Sequence, residues 1–275
     1  PGEETSEQRT QQLATILDQE AQRQASKEAF AISADIREQL QEIQPENINN
    51  SLQLTKLLIN QKTFSSELLQ EWDFIPRLEA AQAVDEALLR EVIALLISEA
   101  PSVDRTSLIN TAFEKVKDKT KFLELIVKSG IKVGYSYLRK DIAVEILELC
   151  EKFDPNLRLG LKYIAQLYSY AGKYKESINI SQRLIQNSET LTQTIEANCL
   201  YLRSLLSAGS WTEVPQIIPD YKNQLKKLAQ LPLESIPKDQ ATDMLQLAPF
   251  YLNYAEDNPQ ETRPLQNAVS KIFQF

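Results

Sequence analysis

The amino-acid sequence predicts an all-α fold, organised as a solenoid of antiparallel helix hairpins, from two features of composition and one of spacing. Only 6 of the 275 residues are Gly, whereas Gln, Glu, Leu, Ala and Lys abound, so the intrinsic preference is for helix. Small, apolar and aromatic residues recur near the middle of the chain at intervals of about 34 residues, as stacked hairpins require. We therefore expect little or no strand.

Degenerate hairpins are predicted over residues 1–120, beginning at the N-terminus. Thr5 or Ser6 is placed to cap a first helix, and Ser26 is placed to open a second helix that Pro45 ends. The apolar positions that we expect on the inner faces of these two helices are Leu13, Ile16, Leu17 and Ala21, followed by Phe30, Ile36, Leu40 and Ile43.

Four further helices are predicted before residue 120. The segment PENINNSLQLTKLLINQKTF supplies one, and a short helix follows around residues 65–72, after which Phe74-Ile75-Pro76 breaks the pattern. A strongly apolar helix over residues 85–99 is expected deep in the core, because it has little polar face. Asp104 is placed to cap the next helix.

A repeat pattern is clearest in the segment IAQLYSYAGKYKESINISQRL, residues 164–184. A small residue, two tyrosines and a turn glycine fall there at the offsets of a tetratricopeptide helix pair. Ala165 and Ser177 are expected to allow close approach of two helices, and Gly172 to supply a turn conformation that few other residues tolerate.

The register of that segment recurs on both sides of it. A shift of 34 residues towards the N-terminus brings Leu138 to the position of Gly172, and a shift of 37 towards the C-terminus brings Gly209 there. In the earlier copy, Gly130 and Gly134 indicate close helix packing. About three degenerate hairpins are thus predicted within residues 121–221, forming a right-handed tetratricopeptide-like solenoid.

Residues 222–275 are predicted to form C-terminal capping helices. Four prolines are expected to separate short helices after the repeats, and they are Pro215, Pro219, Pro232 and Pro237. A fifth, Pro249, is expected to kink the helix that contains it. The last helix is expected to start at Asn258-Pro259.

Charge and cysteine content bound the classes of partner. The net charge of −8 argues against nucleic-acid or anionic-membrane binding, and no apolar run approaches the roughly 20 residues that cross a bilayer. Residues 1–50 have 4 basic and 10 acidic side chains, a net charge of −6, whereas residues 121–180 have 10 basic and 7 acidic, a net charge of +3. Cys150 and Cys199 lie in apolar helical patterns, so we expect buried thiols and a cytoplasmic location.

The sequence lacks the residue patterns on which common catalytic and metal sites depend. It contains no His, which removes Ser-His and Cys-His systems and the commonest zinc ligand. Neither GxGxxG nor GxxxxGK[ST] occurs, so no phosphate-binding loop of those types is expected. We therefore expect no cofactor and no enzymatic activity in this chain.

The first helix of each hairpin normally lines the concave side of a solenoid, where side chains off the packing seam are available to a ligand. The register nominates eight such residues, which are Lys128, Lys132, Tyr135, Lys162, Tyr163, Gln166, Tyr170 and Arg203. One interpretation is a groove for an extended acidic peptide, bound by charge-assisted bonds and aromatic contacts. The alternatives are a solvated helix face whose tyrosines partly cover the core, and a nucleic-acid surface. The groove interpretation predicts that reversing Lys128, Lys132 and Lys162 together weakens partner binding without unfolding the chain.

Four segments carry a resemblance to a known family. They are PENINNSLQLTKLLINQKTF, LKYIAQLYSYAGKYKESI, LYLRSLLSAGSWTEV and FYLNYAEDNPQETRPLQNAVSKIF, of which the last is the most family-like. Together they resemble the helical region that precedes the catalytic domain of bacterial, chiefly cyanobacterial, SPINDLY-type O-linked N-acetylglucosamine transferases. The resemblance implies an arm that recruits acceptor proteins or organises oligomers, while a downstream domain transfers the sugar.

The first residue is not Met and the last is an apolar Phe275, so we expect a piece of a longer protein. The alternative function is that of a stand-alone tetratricopeptide-like adaptor or peptide-binding protein, unrelated to glycosylation. Both interpretations make the binding of a protein or peptide the function of this chain, and both leave homo-oligomerisation open.

Overall fold

The computed structural model describes residues 5–100, 102–136, 138–228 and 230. Within these residues the chain forms thirteen helices and no strand, which confirms the predicted all-α class for them. The first eight helices are α1 (Ser6–Ser26), α2 (Phe30–Ile43), α3 (Ile48–Asn60), α4 (Glu67–Glu71), α5 (Phe74–Ala80), α6 (Glu86–Glu99), α7 (Arg105–Lys115) and α8 (Lys119–Ser136). The other five are α9 (Lys140–Phe153), α10 (Arg158–Tyr170), α11 (Tyr174–Gln186), α12 (Leu191–Ala208) and α13 (Val214–Leu228).

The described residues form two compact units, with the boundary between Ile146 and Leu147 inside α9. In the first unit, α3 packs against α6 and α6 against α8, while α5 packs against α7. The helices α3, α6 and α8 thus form one layer, and α5 and α7 form a second. The two layers meet where α6 contacts α7 and α3 contacts α5. The α1–α2 hairpin joins these layers through the contact of α2 with α3.

The apolar helix predicted for residues 85–99 is confirmed as α6, which contacts α3, α7 and α8. Asp85 caps it by accepting hydrogen bonds from the backbone amides of Ala87 and Leu88, at 3.0 and 3.1 Å. Its fully buried side chains are Leu89, Val92, Ile93, Leu96 and Ile97. Each such side chain contributes about 1.5–3 kcal/mol of hydrophobic free energy, so α6 anchors the core of the first unit.

In the second unit, α10, α11, α12 and α13 pack in chain order, and α10 also contacts α12. Small residues allow that arrangement: the Ser177 hydroxyl donates to the Ala165 carbonyl at 2.7 Å and lies 2.7 Å from the Ser204 hydroxyl. Gly172 and Gly209 adopt left-handed turns, with φ of +76° and +70°. The close approach predicted at Ala165 and Ser177 and the turn predicted at Gly172 are both confirmed.

The earlier copy of the pattern, in the first unit, shows two of the expected features. Leu138 adopts a left-handed φ of +56°, so this turn position has the backbone conformation that glycine supplies in the two later copies. A Cβ atom on Gly130 would lie 3.0 Å from Ile146 Cγ2, closer than side chains normally approach. The prediction of close helix packing is therefore confirmed at Gly130.

The N-terminal hairpin differs from the prediction in two respects. Ser26 is the last residue of α1, and α2 begins at Phe30. Leu13, Ile16 and Phe30, which were expected to face inward, are 47%, 62% and 46% exposed. The exposure of Leu13 and Ile16 follows from helix geometry, because α1 packs against α2 through the face that carries its buried alanines, and these two side chains point elsewhere.

Two proline predictions are wrong for related reasons. Phe74-Ile75-Pro76 begins α5, and the chain turns just before it at Asp73, where φ is +48°. Pro215 and Pro219 lie within the single helix α13. Prolines in the first turn lose no helical hydrogen bond, and Pro219 removes one bond on an exposed face, where the carbonyl that loses its donor is accessible to solvent. The predictions for Pro232, Pro237, Pro249 and the last helix from Asn258-Pro259 lie outside the described residues.

Candidate peptide-binding surfaces

The eight residues nominated for a groove lie on three helices and fall in both units. Lys128, Lys132 and Tyr135 belong to α8 in the first unit. The second unit carries Lys162, Tyr163, Gln166 and Tyr170 on α10 and Arg203 on α12. Their surroundings therefore have to be described unit by unit.

A cleft of about 450 Å³ lies between α6 and α8 in the first unit. Lys128 and Lys132 stand on its α8 side, and α6 contributes Arg90 and Glu91. The rest of the lining is apolar or small and comes from Ala87, Ala94, Leu95, Ser98, Leu125 and Ser129. The cleft thus combines an apolar interior with cationic head groups that remain in water.

The ion pairs beside this α6–α8 cleft are partly exposed to water. They are Lys132–Glu99 at 2.5 Å, Lys56–Glu91 at 2.8 Å and Arg90–Glu86 at 3.6 Å. Lys128 is exposed and forms no hydrogen bond or ion pair with any residue that the structure describes. Because exposed pairs contribute only about 0–1 kcal/mol each, a carboxylate from a ligand can replace an internal partner at little cost.

Lys162 of the second unit is bound in a largely buried group of three charges. Glu196, whose side chain is 7% exposed, pairs with both Lys162 and Arg158, the latter at 3.2 Å. Arg158 also donates to the backbone carbonyls of Leu184 and Gln193, at 3.2 and 2.6 Å. These contacts tie α10 to α11 and α12, so Lys162 takes part in the packing of the unit.

Three of the other nominated residues in the second unit are also drawn into its packing. Arg203 is 5% exposed, and its guanidinium carbon lies 4.6 Å from the centre of the Tyr170 ring. Gln166 is buried, and Tyr163 is half-buried with Lys162 Nζ 5.8 Å from its ring centre. The cation–π contact of Arg203 stabilises the packing of α10 and α12.

The described residues offer little conventional reactive chemistry. Both cysteines are buried as predicted, and burial raises the pKa of the Cys150 thiol to about 12, which keeps it protonated at neutral pH. Among the residues that the structure describes, no group of three or more His, Cys, Asp or Glu side chains is arranged to hold a metal ion. In the same part of the chain, no helix has the length and apolar character needed to cross a bilayer.

Sequence reasoning nominated one wall of the α6–α8 cleft and missed the other. The missed residues are Arg90 and Glu91, which α6 presents opposite Lys128. A signal for them was available, since they are the two charged residues in the middle of an otherwise apolar helix. A charged pair at that place requires access to water, which a fully buried helix does not offer.

A scan against models of known protein families finds no match to this chain, and a search of characterised proteins finds no significantly similar relative.

Proposed function

We propose that this chain is a protein-binding scaffold, a right-handed tetratricopeptide-like solenoid whose α6–α8 cleft binds an extended acidic segment of a partner. The observation that carries the proposal is the combination of an apolar lining and an exposed cationic rim in one cleft. Apolar contact supplies affinity for the segment, whereas the cations select its charge and accelerate encounter.

The solenoid part of the proposal is supported by polar contacts between residues about one repeat apart. Within the first unit these are Lys56–Glu91, Thr111–Glu79 and Lys132–Glu99, and within the second they are Lys162–Glu196 and Arg183–Glu151. In stacked two-helix repeats, equivalent positions of neighbouring repeats lie side by side, so contacts at this spacing recur.

We further propose that the scaffold is the non-catalytic arm of a SPINDLY-like protein O-glycosyltransferase, supported by the four segments that resemble that family. The reading frame downstream of the codon for Phe275 tests this assignment. A nucleotide-sugar-binding α/β domain encoded there would support a recruitment arm. An immediate stop codon would contradict it and leave the stand-alone adaptor.

The α6–α8 cleft is tested with a fluorescently labelled peptide in which glutamate alternates with leucine, titrated by fluorescence anisotropy. Lys128→Glu and Lys132→Glu together are expected to weaken binding about tenfold, because both cations stand on the rim of the cleft. Lys27→Glu and Lys117→Glu change the same net charge at exposed positions outside the cleft, and are expected to alter binding by less than about twofold.

If the two pairs of substitutions weakened peptide binding equally, binding would depend on net charge alone. That result would contradict the cleft proposal. No saturable binding would contradict it outright. Lys162 stays unchanged in this test, because a carboxylate at that position would face the buried Glu196 and disturb the fold. Circular dichroism of both variants checks that helix content is preserved.

A further inference from the structure

A second cleft in the first unit, of about 460 Å³, lies where α2, α3 and α4 meet. Its accessible apolar surface comes from Leu68, Pro45 and Trp72, and Leu54 lies beneath them. Leu54 is fully buried, while Leu68 and Trp72 are half-buried and pack on the small apolar cluster around it. This α2–α4 cleft therefore offers a partner an aromatic wall and an apolar interior.

Four exposed carboxylates also line the α2–α4 cleft. They are Glu38 and Glu42, one turn apart on α2, and Glu71 and Asp73 at the end of α4. Their side chains form no hydrogen bond or ion pair within the part of the chain that the structure describes. Without an ion-pair partner there, they remain accessible to a cation, in contrast to the paired carboxylates beside the α6–α8 cleft.

The one basic residue in the lining, Arg77, offsets only part of this charge, through its electrostatic interaction with Asp73. The guanidinium of Arg77 donates to the Trp72 carbonyl at 2.8 Å and to the Ser51 hydroxyl at 3.0 Å. These bonds direct it to the protein framework between the end of α4 and α3. With four carboxylates against one arginine, the lining keeps a clear excess of negative charge.

We propose that the α2–α4 cleft is a docking site for a basic segment of a partner protein, separate from the acidic-peptide cleft. An arginine or lysine of the segment lies against the Trp72 indole and bonds to the surrounding carboxylates. The apolar residues that flank this arginine or lysine in the segment cover Leu68. Carboxylates alone would be an ordinary solvated surface, but here the aromatic and leucine surface beneath them adds hydrophobic contact.

Trp72 itself reports on this site. The chain has two tryptophans, Trp72 and Trp211, and Trp211→Phe leaves Trp72 as the single emitter. The probe is a peptide in which arginine alternates with leucine, titrated against this variant. A saturable change in emission is expected, and a peptide with glutamate in place of arginine is expected to produce none.

Matched charge variants separate the cleft from general acidity. Glu38→Gln, Glu42→Gln and Glu71→Gln together preserve side-chain shape and are expected to weaken binding of the arginine peptide about tenfold. The control set, Glu7→Gln, Glu28→Gln and Glu114→Gln, removes the same charge at exposed positions of the same unit and is expected to change binding less than about twofold.

Three outcomes would overturn the proposal. They are no saturable change in Trp72 emission, equal weakening by the two sets of variants, and equal binding of the glutamate peptide. Lys128→Glu with Lys132→Glu serves as a cross-check, since it is expected to leave arginine-peptide binding unchanged. The basic-segment proposal can therefore fail or survive independently of the acidic-peptide cleft.

Discussion

Lys128 on α8 and Lys162 on α10 lie 34 residues apart, at equivalent places in the repeat pattern, yet their surroundings differ. Lys128 is exposed and has no ion-pair partner among the described residues, whereas Lys162 pairs with Glu196 and its side chain is only 15% exposed. Glu196 lies a further 34 residues along the chain. The carboxylate of Glu196 thus holds Lys162 in the packing of its unit, whereas Lys128 stays available to a partner.

A cationic pattern on successive helices therefore does not by itself define a binding face. A lysine whose acidic partner is buried, as Glu196 is for Lys162, is held in the packing of its unit, whereas the Lys132–Glu99 pair remains partly exposed. A lysine without such a partner remains available, as Lys128 does.

The largest effect is expected on removing the shared carboxylate of the second unit. Glu196→Gln leaves both Arg158 and Lys162 without their ionic partner in a largely buried place, and should lower the free energy of unfolding by about 3 kcal/mol. Glu99→Gln in the first unit removes an exposed partner of Lys132 and should cost about 0.5 kcal/mol or less. Urea denaturation of the two variants measures both effects.

A rescue variant sharpens this contrast. Adding Lys162→Met to Glu196→Gln removes one of the two uncompensated charges and should recover part of the lost stability. Similar losses for Glu196→Gln and Glu99→Gln would show that burial does not distinguish the two faces. Failure of Lys162→Met to recover any stability would show that the charge of Lys162 is not the cause.

The turns before the second helices of the hairpins provide the next comparison, with effects near 1 kcal/mol. Leu138 has a left-handed φ and is 79% exposed, so Leu138→Gly relieves backbone strain, loses little burial and should stabilise by about 1 kcal/mol. Gly172→Ala should destabilise by a similar amount, about 1 kcal/mol. No atom lies within 4 Å of the added Cβ, so this cost would arise from the backbone.

Thermal unfolding monitored by circular dichroism checks the two turn variants. Shifts of about 2–4 °C in opposite directions are expected for a chain of this size. A lower melting temperature for Leu138→Gly would mean that the leucine makes a stabilising contact that outweighs the strain. Shifts in the same direction would remove the claim that the two turns are equivalent.

Local signals made part of the fold predictable. The apolar run with Asp85 before it specified α6, and Gly172 specified a left-handed turn, because each depends on residues close in sequence. The exposure of Leu13 and Ile16 was not predictable in the same way, since it depends on which face of α1 meets α2. Helical periodicity identifies an apolar face without saying what covers it.

The candidate sites were predictable to a smaller degree, because clefts are formed by residues distant in sequence. Lys128 and Lys132 were nominated from repeat register, but their opposite wall at Arg90 was not. The pairing of Lys162 with Glu196 could have been anticipated from their spacing of 34 residues, which equals the predicted repeat length, but its burial could not, because Lys132 and Glu99 pair at a similar spacing and stay partly exposed. The α2–α4 cleft has no comparable signal, because Trp72 enters it from a short irregular connection.

The smallest expected difference concerns how the two units begin their helices. Asp104 caps α7 in the first unit by accepting a hydrogen bond from the Ser107 amide at 3.0 Å, whereas Thr190 caps α12 in the second by accepting from the Gln193 amide at 3.2 Å. Hydrogen bonds from Ser107 lower the pKa of the Asp104 carboxyl. Of these two caps, only the Asp104 carboxyl titrates. The start of α7 should therefore be sensitive to acid, whereas the start of α12 should not.

The sign of the effect follows from the lowered pKa of Asp104. Its stabilisation is present above the ordinary carboxyl pKa of about 3.9 and is lost as pH falls through the lower folded value. Asp104→Asn retains a cap without titration, so its loss of stability between about pH 5 and pH 3 should be smaller than that of the original protein by about 0.5 kcal/mol, given the exposure of this group. Thr190→Asn should leave the loss unchanged. Urea denaturation at several pH values measures both variants, and equal acid sensitivity of Asp104→Asn and the original protein would show that this cap is not the source.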